Sequence, residues 1–433
     1  MNNAAPLRIG IAGLGTVGAA TLGLLVTENA RIAARAGRTL AVTAIVARDR
    51  TKDRGVDTSG LRWFDDPVAM ASDDGIDMFI ELIGGADGVA KAAVEAALAS
   101  GKQVVTANKA LLAHHGAALA DLAESTPGAS LHYEAAVAGG IPAVKALREG
   151  MTGNGITRVS GILNGTCNYI LTEMETTGAA FDGVLLEAQK LGYAEADPTA
   201  DVGGFDAAHK LAIMASIAFG RQMDFDGVRI EGIEDVAAED IVAARDMGYR
   251  IRLLGMAERT AQGVSQRLRP CMTRADSPLG KITGVTNAVM FEGDAIGATI
   301  LTGPGAGGGP TASAVLADVV DAARGNCPPT FGIAAADLAP VISDGPAIPD
   351  EGAFYLRVTL KDQPGTLAEV ATALGASGVS IHRMRQHDHD GAAAPVTIVT
   401  HRCDLADITA AKERIAALSV CTAPPVSMRI VES

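Results

Sequence analysis

LRIGIAGLGTVGAATLGLLVTE, residues 7–28, decides the fold of the first part of the chain. Its apolar start, residues 7–13, predicts a short strand, and the apolar run that follows Gly18 predicts a helix. The glycines of the intervening G-x-G-x-x-G pattern allow a tight turn, close approach of the backbone to a pyrophosphate, and close packing of helix on strand. The stretch therefore predicts a dinucleotide-binding turn, with a glycine-rich turn that binds no ligand as the alternative.

Apolar strands then alternate with helices. Strands are predicted at 40–47, 76–83, 103–106 and 130–137, with a helix at 89–100. This alternation predicts a parallel, doubly wound α/β sheet of the Rossmann type. Ligands of such sheets lie beyond the carboxyl ends of the strands. Lys109 follows the strand 103–106 closely and is therefore a candidate site residue, although a surface lysine at a turn is the alternative.

The tip of the second strand carries charges that bear on cofactor choice. Arg48 stands where it could meet a 2′-phosphate, which favours NADP, whereas Asp49 keeps NAD possible because an acid at this tip binds the ribose 2′-hydroxyl. A solvated charged loop is the competing interpretation for each residue taken singly.

An acidic stretch, GYAEADPTADVGGFDAAHK at 192–210, leads into a predicted helix at 204–220 that is apolar on nearly every side. Such a helix is normally buried, and a buried lysine is costly unless it is paired. Asp206 lies four residues before Lys210, so both occupy one helix face. An ordinary ion pair would explain this spacing, but the apolar setting favours a charged pocket at the edge of a core.

The remaining pattern predicts further domains. A mixed α+β domain spans 138–325; within it a turn is predicted at Asn164-Gly165, and GPGAGGGP at 303–310 opens a helix at 311–324. That glycine cluster could receive an anion or a ribose, or it could serve as a flexible hinge. The helix after it, at about 304–325, could return to complete the first domain, 1–137. Residues 326–351 are predicted to be a linker.

Residues 352–433 predict a βαββαβ, ferredoxin-like module. His382, His387 and His389 lie in or near its central hairpin, where a solvated loop is favoured over a metal site.

Composition narrows the classes of function. A net charge of −14 argues against nucleic acid and against an anionic membrane surface as partners. The five cysteines are scattered without a C-x-x-C pair, which fits a reducing compartment. The N-terminus lacks the pattern of a signal peptide, and no long uncharged apolar run indicates a membrane span. We therefore expect a cytoplasmic protein.

Several motifs together resemble those of homoserine dehydrogenase over essentially the whole chain. They are GLGTVG (13–18), TANKALLA (106–113), YEAAVAGGIP (133–142), ILNGTCNYIL (162–171), the stretch GYAEADPTADVGGFDAAHKLAI (192–213), and GPGAGGGPTASAV (303–315). The tail from about residue 352 is similar to an ACT domain, a regulatory amino-acid-binding module, whose DxPGxLA signature matches residues 362–368. The chain resembles the monofunctional form of the family.

The resemblance implies a catalytic and dimerisation role for the central domain. It implies NAD(P)H-dependent reduction of L-aspartate 4-semialdehyde to L-homoserine, a step toward threonine, methionine and isoleucine. It also implies a sodium ion, feedback regulation through the ACT domain with L-threonine as the candidate effector, and a homodimer or homotetramer.

The resemblance also implies roles for individual residues. Lys210 would donate the proton to the carbonyl oxygen, and Lys109 would assist beside the nicotinamide. Glu195 and Asp206 would hold the substrate. The implied cofactor contacts are Gly13, Gly15, Thr16, Val17, Gly18, Arg48, Lys109 and Gly305. The implied sodium ligands are the carboxylate of Glu134 and the backbone carbonyls of Val137, Gly139 and Ile141.

Two rival functions remain at this stage. One is a different amino-acid or semialdehyde oxidoreductase of the same fold. The other is a catalytically silent amino-acid sensor that keeps the ACT domain and a structural nucleotide. The presence of Lys109, Glu195, Asp206 and Lys210 together argues against the silent sensor.

Overall fold

The glycine-rich turn joins the first strand and the first helix of a parallel sheet. The computed structural model describes residues 5–341, 350–386 and 393–431. The strands of the first domain are β1 (Leu7–Ala12), β2 (Leu40–Val46), β3 (Arg62–Phe64), β4 (Met78–Glu81), β5 (Gln103–Thr106) and β6 (Ser130–His132). Its helices are α1 (Thr16–Thr27), α2 (Asn29–Ala36), α3 (Pro67–Ala71), α4 (Val89–Ala99) and α5 (Lys109–Ser125).

The six strands form one sheet in the order β3-β2-β1-β4-β5-β6, and every neighbouring pair is parallel. This confirms the predicted doubly wound α/β sheet. Strand β3 was not foreseen, because three residues are too short to produce a visible alternation of apolar and polar side chains.

The strand predicted at 130–137 is shorter in the structure, where it covers only Ser130–His132. Strand β6 ends at His132, and residues 134–136 form a single 3₁₀ turn. The Glu134 carboxylate accepts hydrogen bonds from the backbone N–H groups of Val144 and Lys145, at 3.0 and 2.8 Å. The Glu134 N–H donates to Asp318 at 2.7 Å. These bonds turn the chain out of the sheet, so the apolar sequence after residue 132 becomes a buried loop.

The central domain is mixed α+β, as predicted. Its helices are α6 (Ala143–Lys145), which continues as a π-helical turn to Gly150, α7 (Gly165–Thr177), α8 (Phe181–Lys190), α9 (Thr199–Val202), α10 (Phe205–Phe219), α11 (Ala238–Asp246) and α12 (Gly308–Ala323). Its strands are β7 (Ile156–Ile162), β8 (Val228–Ile230), β9 (Tyr249–Thr260), β10 (Gly263–Arg274), β11 (Thr286–Gly293) and β12 (Gly297–Pro304).

The prediction of a turn at Asn164-Gly165 is wrong. Asn164 and Gly165 instead form the start of helix α7. The Asn164 Oδ1 accepts a hydrogen bond from the Cys167 N–H at 2.8 Å, so Asn164 is the N-cap of α7. Asn-Gly is common in tight turns, but asparagine is equally suited to capping a helix.

Helix α12 leaves the central domain and packs against α1 of the first domain. Ala314, Val315 and Val319 of α12 belong to the same apolar cluster as Leu22 of α1. At the start of α12 the contact is close, since a Cβ added to Gly308 would lie 3.2 Å from the Thr16 carbonyl oxygen.

The C-terminal domain has the predicted ferredoxin-like arrangement. Its elements are β13 (Glu351–Gly352), β14 (Phe354–Lys361), α13 (Thr366–Ala376), β15 (Ile381–Gln386), β16 (Ala393–Thr400), β17 (Cys403–Asp404), α14 (Leu405–Ala416) and β18 (Cys421–Val431). The order β18-β14-β16-β15 is antiparallel throughout.

The sheets of the central and C-terminal domains are continuous. Strand β18 pairs in parallel with β10, so the sheet runs in the order β12-β11-β7-β9-β10-β18-β14-β16-β15. No local sequence pattern indicates this pairing, since it depends on how two domains meet.

His382 lies on the edge strand β15 and is exposed, with its ring edge-on to His401 at 4.9 Å. His387 and His389 lie outside the described residues. Within the described ranges, no group of three His, Cys, Asp or Glu side chains is arranged to hold a metal ion. Over the same ranges, none of the helices has the length and apolar character needed to span a membrane.

Candidate active site

The glycine-rich turn at the end of β1 has the backbone that its sequence requires. Gly13 has a φ of +93°, and a Cβ there would lie 2.4 Å from the Leu82 carbonyl oxygen. A Cβ at Gly18 would lie 2.0 Å from the Gly13 carbonyl oxygen, so α1 packs tightly on the turn. A Cβ at Gly15 would meet no atom within 4 Å. The middle glycine thus opens onto free space, as it must if a pyrophosphate approaches the start of α1, where Thr16 and Val17 lie.

The charged loop after β2 contains arginines in different settings. Arg48 is exposed, and its guanidinium has no hydrogen-bond or ion-pair partner among the described residues. Arg50 pairs with Asp65 at 2.5 Å and lies over the Trp63 ring. The Asp49 carboxylate accepts from the backbone N–H and hydroxyl of Thr51, and these bonds lower its pKa. Arg48 is therefore the arginine of this loop whose guanidinium is unengaged within the described residues.

Arg54 connects this loop to the glycine-rich turn. Its Nε donates to the Leu14 carbonyl at 3.2 Å, and its Nη1 donates to the Lys52 carbonyl at 2.6 Å. Sequence reasoning did not single out Arg54, because an arginine in a polar loop carries no distinguishing local pattern. Its contacts give it a structural role in holding the two loops together.

Lys109 begins helix α5, just beyond the carboxyl end of β5. The preceding Asn108 caps this helix, with its Oδ1 accepting from the Leu111 N–H and its Nδ2 donating to the Gly85 carbonyl. Lys109 Nζ lies 2.9 Å from Oδ1 of Asp206 in the central domain. Asp206 raises the pKa of the Lys109 ammonium above its ordinary value, and burial opposes this shift.

Lys210 occupies the buried face of α10, with 9% of its side chain exposed. Its Nζ donates to Oδ2 of Asp206 at 2.6 Å and to the Leu163 carbonyl at 2.7 Å. Burial opposes ionisation of Asp206, but Lys210 and Lys109 outweigh it and hold the pKa of this carboxyl well below its usual range. Two ammonium groups from different domains therefore meet on one carboxylate.

Asn164 completes this cluster. Its Nδ2 donates to Oδ2 of Asp206 at 3.0 Å and to Oδ1 of Asp201 at 2.9 Å. Burial raises the pKa of Asp201, the hydrogen bond from Asn164 lowers it, and the charge of Asp206 raises it further. Asn164 is a site residue that the sequence analysis did not identify. Its position directly between an apolar strand and a helix was the feature of the sequence that could have indicated it.

Glu195 lies apart from the lysine–aspartate cluster. The residue is exposed, and its carboxylate has no hydrogen-bond or ion-pair partner among the described residues. Its charge nonetheless contributes to raising the pKa of Lys109, after Asp206 and Asp201. Glu195 is thus a carboxylate without a partner among the described residues, and its charge reaches Lys109.

The loop 133–142 and the second glycine cluster pack against each other. A Cβ at Gly139 would lie 2.4 Å from the Gly305 carbonyl oxygen, and the Gly140 N–H donates to the Pro304 carbonyl at 3.0 Å. A Cβ at Gly305 would overlap the Asn287 side chain. The two loops therefore fit only because these positions lack side chains, which gives the glycines a packing role.

Glu134 is almost fully buried beneath this junction. Burial, together with the charge of Asp318, raises the pKa of Glu134 to about 7. The Val137 N–H donates to the Glu134 carbonyl, and the Ile141 carbonyl accepts from the Ala143 N–H at 2.7 Å. The four residues that the family resemblance implies as sodium ligands are thus neighbours in one buried loop.

A parallel sheet with a glycine-rich turn that is open at Gly15, together with a buried lysine–aspartate site, points to the class of nicotinamide-dependent dehydrogenases. Comparison with known proteins makes the assignment specific. Residues 142–320 match the family described as homoserine dehydrogenase, residues 13–134 match its NAD-binding domain, and residues 354–420 match the ACT domain.

Relatives match along the whole chain. The homoserine dehydrogenase of Pseudomonas aeruginosa is 44% identical, over 98% of this chain and 99% of the relative. The crystal structure of a homoserine dehydrogenase from Thiobacillus denitrificans has a TM-score of 0.91 at 41% identity, covering 99% of each chain. A hyperthermophilic archaeal homoserine dehydrogenase in complex with NADPH has a TM-score of 0.63 at 27% identity, covering 73% of this chain and 98% of that one.

The chain belongs to the homoserine dehydrogenase family. It is an oxidoreductase that acts on a CH–OH group and uses a nicotinamide cofactor.

Proposed function

We propose that this protein reduces L-aspartate 4-semialdehyde to L-homoserine with NADPH, with Lys210 as the proton donor. The observation that carries the proposal is the buried ammonium of Lys210, which Asp206 and the Leu163 carbonyl hold at the edge of the apolar helix α10. When bound, the nicotinamide supplies the hydride. Hydride delivery to an aldehyde places negative charge on its oxygen, and a nearby ammonium both stabilises that charge and donates a proton.

Asp206 serves first to position the two lysines. A carboxylate has about four lone-pair positions. Three are used here, by Lys109, Lys210 and Asn164. One position is left for the substrate ammonium. Glu195, whose carboxylate is exposed and unpaired among the described residues, supplies the second negative group. The substrate's ammonium would then lie between Glu195 and Asp206, with its aldehyde directed toward Lys210.

The residues of the first domain fit a dinucleotide. The free space beside Gly15 accommodates a pyrophosphate, and Thr16 and Val17 at the start of α1 present their N–H groups to it. Arg48 is the proposed partner of the 2′-phosphate because its guanidinium is exposed and unengaged within the described residues. Lys109 lies at the junction of the cofactor and substrate sides, and Gly305 contributes backbone from the second glycine cluster.

A sodium ion is a further part of the proposal. A buried carboxylate beside a loop of backbone carbonyls is a set of hard oxygen donors, which suits an alkali cation. The ligands would be Glu134 and the carbonyls of Val137, Gly139 and Ile141. In support, the charge of Asp318 raises the pKa of Glu134 even though the Lys145 ammonium lies 3.2 Å from Asp318 Oδ1, so a further cation would stabilise the ionised Glu134 carboxylate.

The ACT domain is proposed to bind an amino-acid effector, with L-threonine as the candidate. The loop carrying Asp362, Gln363 and Gly365 lines a cavity of about 340 Å³ together with Gln386 of β15. L-threonine would then act as a feedback inhibitor. The enzyme would belong to the biosynthesis of threonine, methionine and isoleucine. A homodimer or homotetramer and a cytoplasmic location complete the proposal.

The proposed division of the chain follows these roles. Residues 1–137 with the returning segment 304–325 bind the cofactor, and 138–325 provide the substrate site and the subunit contact. Residues 326–351 link them to the regulatory domain, 352–433.

Steady-state turnover with L-aspartate 4-semialdehyde tests the function directly. Consumption of NADPH and formation of homoserine are expected, with NADH used less efficiently and L-threonine lowering the rate. Absence of turnover with this aldehyde, but turnover with another semialdehyde, would assign the chain a different substrate.

A further inference from the structure

Glu81 is a buried carboxylate that the proposed reaction leaves without a role. It is the last residue of β4, and the whole residue is shielded from solvent. A buried charged side chain is costly unless hydrogen bonds or an opposite charge compensate it. Among the described residues no cationic side chain forms an ion pair with Glu81, and Lys109, which follows the neighbouring strand β5, is held by Asp206 instead. The compensation therefore comes from hydrogen bonds.

The Glu81 carboxylate accepts three hydrogen bonds that come from two strand ends. Its Oε1 accepts from the backbone N–H groups of Ile83 and Gly84, at 2.7 and 2.9 Å, in the loop after β4. Its Oε2 accepts from the hydroxyl of Thr106, the last residue of β5, at 2.5 Å. One carboxylate thus joins the carboxyl ends of two neighbouring parallel strands.

Asn108 joins the same two strand ends a second time. Its backbone N–H donates to the Thr106 hydroxyl oxygen at 3.0 Å, and its Nδ2 donates to the Gly85 carbonyl at 2.7 Å. The loop after β4 and the segment after β5 are therefore closed into one hydrogen-bonded ring, with the Glu81 carboxylate at its base. Lys109 follows Asn108 directly, so this ring also fixes the start of α5.

The ring lies on the nicotinamide side of the sheet. The strand order β3-β2-β1-β4-β5-β6 reverses direction between β1 and β4, and sheets of this kind bind a dinucleotide across that point. The adenosine ribose of such a ligand lies at the tip of β2, so the nicotinamide half belongs to the side of β4 and β5. The loop after β4 also borders the glycine-rich turn, since a Cβ at Gly13 would lie 2.4 Å from the Leu82 carbonyl oxygen.

We propose that Glu81, besides fixing these loops, favours the oxidised form of the bound cofactor. The nicotinamide ring is cationic when it is oxidised and neutral when it is reduced. A buried carboxylate without an ion-pair partner in the described part of the chain stabilises a cation on its side of the sheet, because the protein interior screens charge less than water does. Glu81 thereby favours the state of the cofactor in which the hydride has been given up. The inference rests on the nicotinamide cofactor of the family and not on the proposed substrate.

Binding of NADPH and NADP⁺ to the full chain, without substrate, tests the proposal. Isothermal titration calorimetry gives the Kd of each form, and the measured quantity is the Kd for NADP⁺ divided by the Kd for NADPH. In Glu81→Gln this ratio should rise about three- to tenfold, because the charge is lost while the size of the side chain is kept. NADH and NAD⁺ replace this pair if they bind more tightly. No turnover is measured, so a different substrate would not change the result.

Two control variants separate the charge of Glu81 from its role in fixing the loops. Thr106→Val removes the hydroxyl that donates to Glu81 but keeps the carboxylate. Both forms of the cofactor should then bind more weakly, with the ratio of the wild type. Glu95→Gln removes a carboxylate of α4 that is paired with Lys91 near the surface, and it should leave both Kd values unchanged.

A further variant predicts a change in the opposite direction. Asn108→Asp keeps the oxygen that caps α5 and adds a negative charge to the same ring, so the ratio should fall about threefold or more. The proposal is overturned if the ratio in Glu81→Gln equals that of the wild type, or if Thr106→Val raises the ratio as much. If Glu81→Gln does not fold, Asn108→Asp decides the matter, and a ratio that does not fall overturns the proposal.

Discussion

The Nζ atom of Lys109 lies 2.9 Å from Oδ1 of Asp206, and this contact joins the cofactor domain to the catalytic domain. Lys109 stands at the first residue of α5, and Asp206 stands in the first turn of α10. The other oxygen of Asp206 holds Lys210. The carboxylate therefore sets the separation between two cations that come from different parts of the chain.

Asp206→Asn is expected to lower kcat about 100-fold or more, because removing one member of a buried ion pair leaves the others uncompensated. Asp206 is the largest influence that raises the pKa of Lys109. In the variant this pKa falls, so any alkaline limb of the pH–rate profile that reports Lys109 should move to lower pH. Asp121→Asn, on the exposed face of α5, is the control that should leave the profile unchanged.

Lys210→Ala is expected to abolish turnover, with kcat reduced at least about 1,000-fold, while the Kd for NADPH changes less than about twofold. The substitution removes the proposed proton donor but touches no residue of the glycine-rich turn. Lys102→Ala is a matched control, since Lys102 is also buried and its Nζ donates to the Asp73 carbonyl at 3.0 Å. Retained activity in Lys210→Ala, or an equal loss in Lys102→Ala, would refute the proton-transfer role.

Asn164 is expected to act as a positioning residue through Asp206. Asn164→Ser keeps an oxygen that can cap α7 but loses the amide that donates to Asp201 and Asp206. Asn164→Asp keeps the cap and adds a third carboxylate beside those two. Asn164→Ser should keep a Tm near that of the wild type, whereas the added buried carboxylate of Asn164→Asp should lower it. We expect kcat to fall about tenfold in the serine variant and further in the aspartate variant, which raises like-charge repulsion.

If Asn164 only capped helix α7, the expected result for kcat would be the opposite. Serine and aspartate would then restore both Tm and kcat, and only Asn164→Ala would be impaired. Measuring kcat, KM and Tm for the three variants side by side separates the two roles.

The sequence revealed those parts of the site that one helix or one turn contains. Asp206 and Lys210 share a face because they are four residues apart, and the glycine-rich turn follows from its own spacing. The Lys109–Asp206 contact joins positions almost a hundred residues apart, so it depends on how two domains pack. The pairing of β10 with β18 likewise depends on how two domains pack, and no local sequence pattern indicates it. A turn was predicted at Asn164 where the structure has a helix N-cap, because asparagine before glycine suits both.

Arg48→Ala is expected to weaken NADPH binding about 10- to 100-fold and to leave NADH binding nearly unchanged, because a hydrogen-bonded charge contributes about 1.5–3 kcal/mol. Arg50→Ala is the matched control from the same loop; its guanidinium is already paired with Asp65 and should affect both cofactors little. The Kd values of both cofactors, from fluorescence titration, decide the matter. An equal loss for NADPH and NADH would remove Arg48 from the phosphate site.

Glu134 should give the protein a measurable pH dependence of stability. Its pKa in the folded protein is raised from 4.5 to about 7, chiefly by burial and then by Asp318. Between these values the folded state binds more protons than the unfolded state, so stability falls as pH rises. Glu134→Gln does not titrate and should gain Tm relative to the wild type across this window. The difference corresponds to at most about 3 kcal/mol. Parallel Tm curves for the two proteins would contradict this account.

The same two proteins test the proposed sodium ion. A cation bound to the Glu134 carboxylate stabilises its ionised form and lowers its pKa, so sodium should reduce the loss of Tm between pH 4.5 and pH 7 in the wild type. Choline chloride at equal concentration supplies the ionic strength with a cation too large for a buried loop. The difference between the two salts should vanish in Glu134→Gln, since the amide carries no charge. A sodium effect of equal size in both proteins would place the ion elsewhere, because it would not depend on this carboxylate.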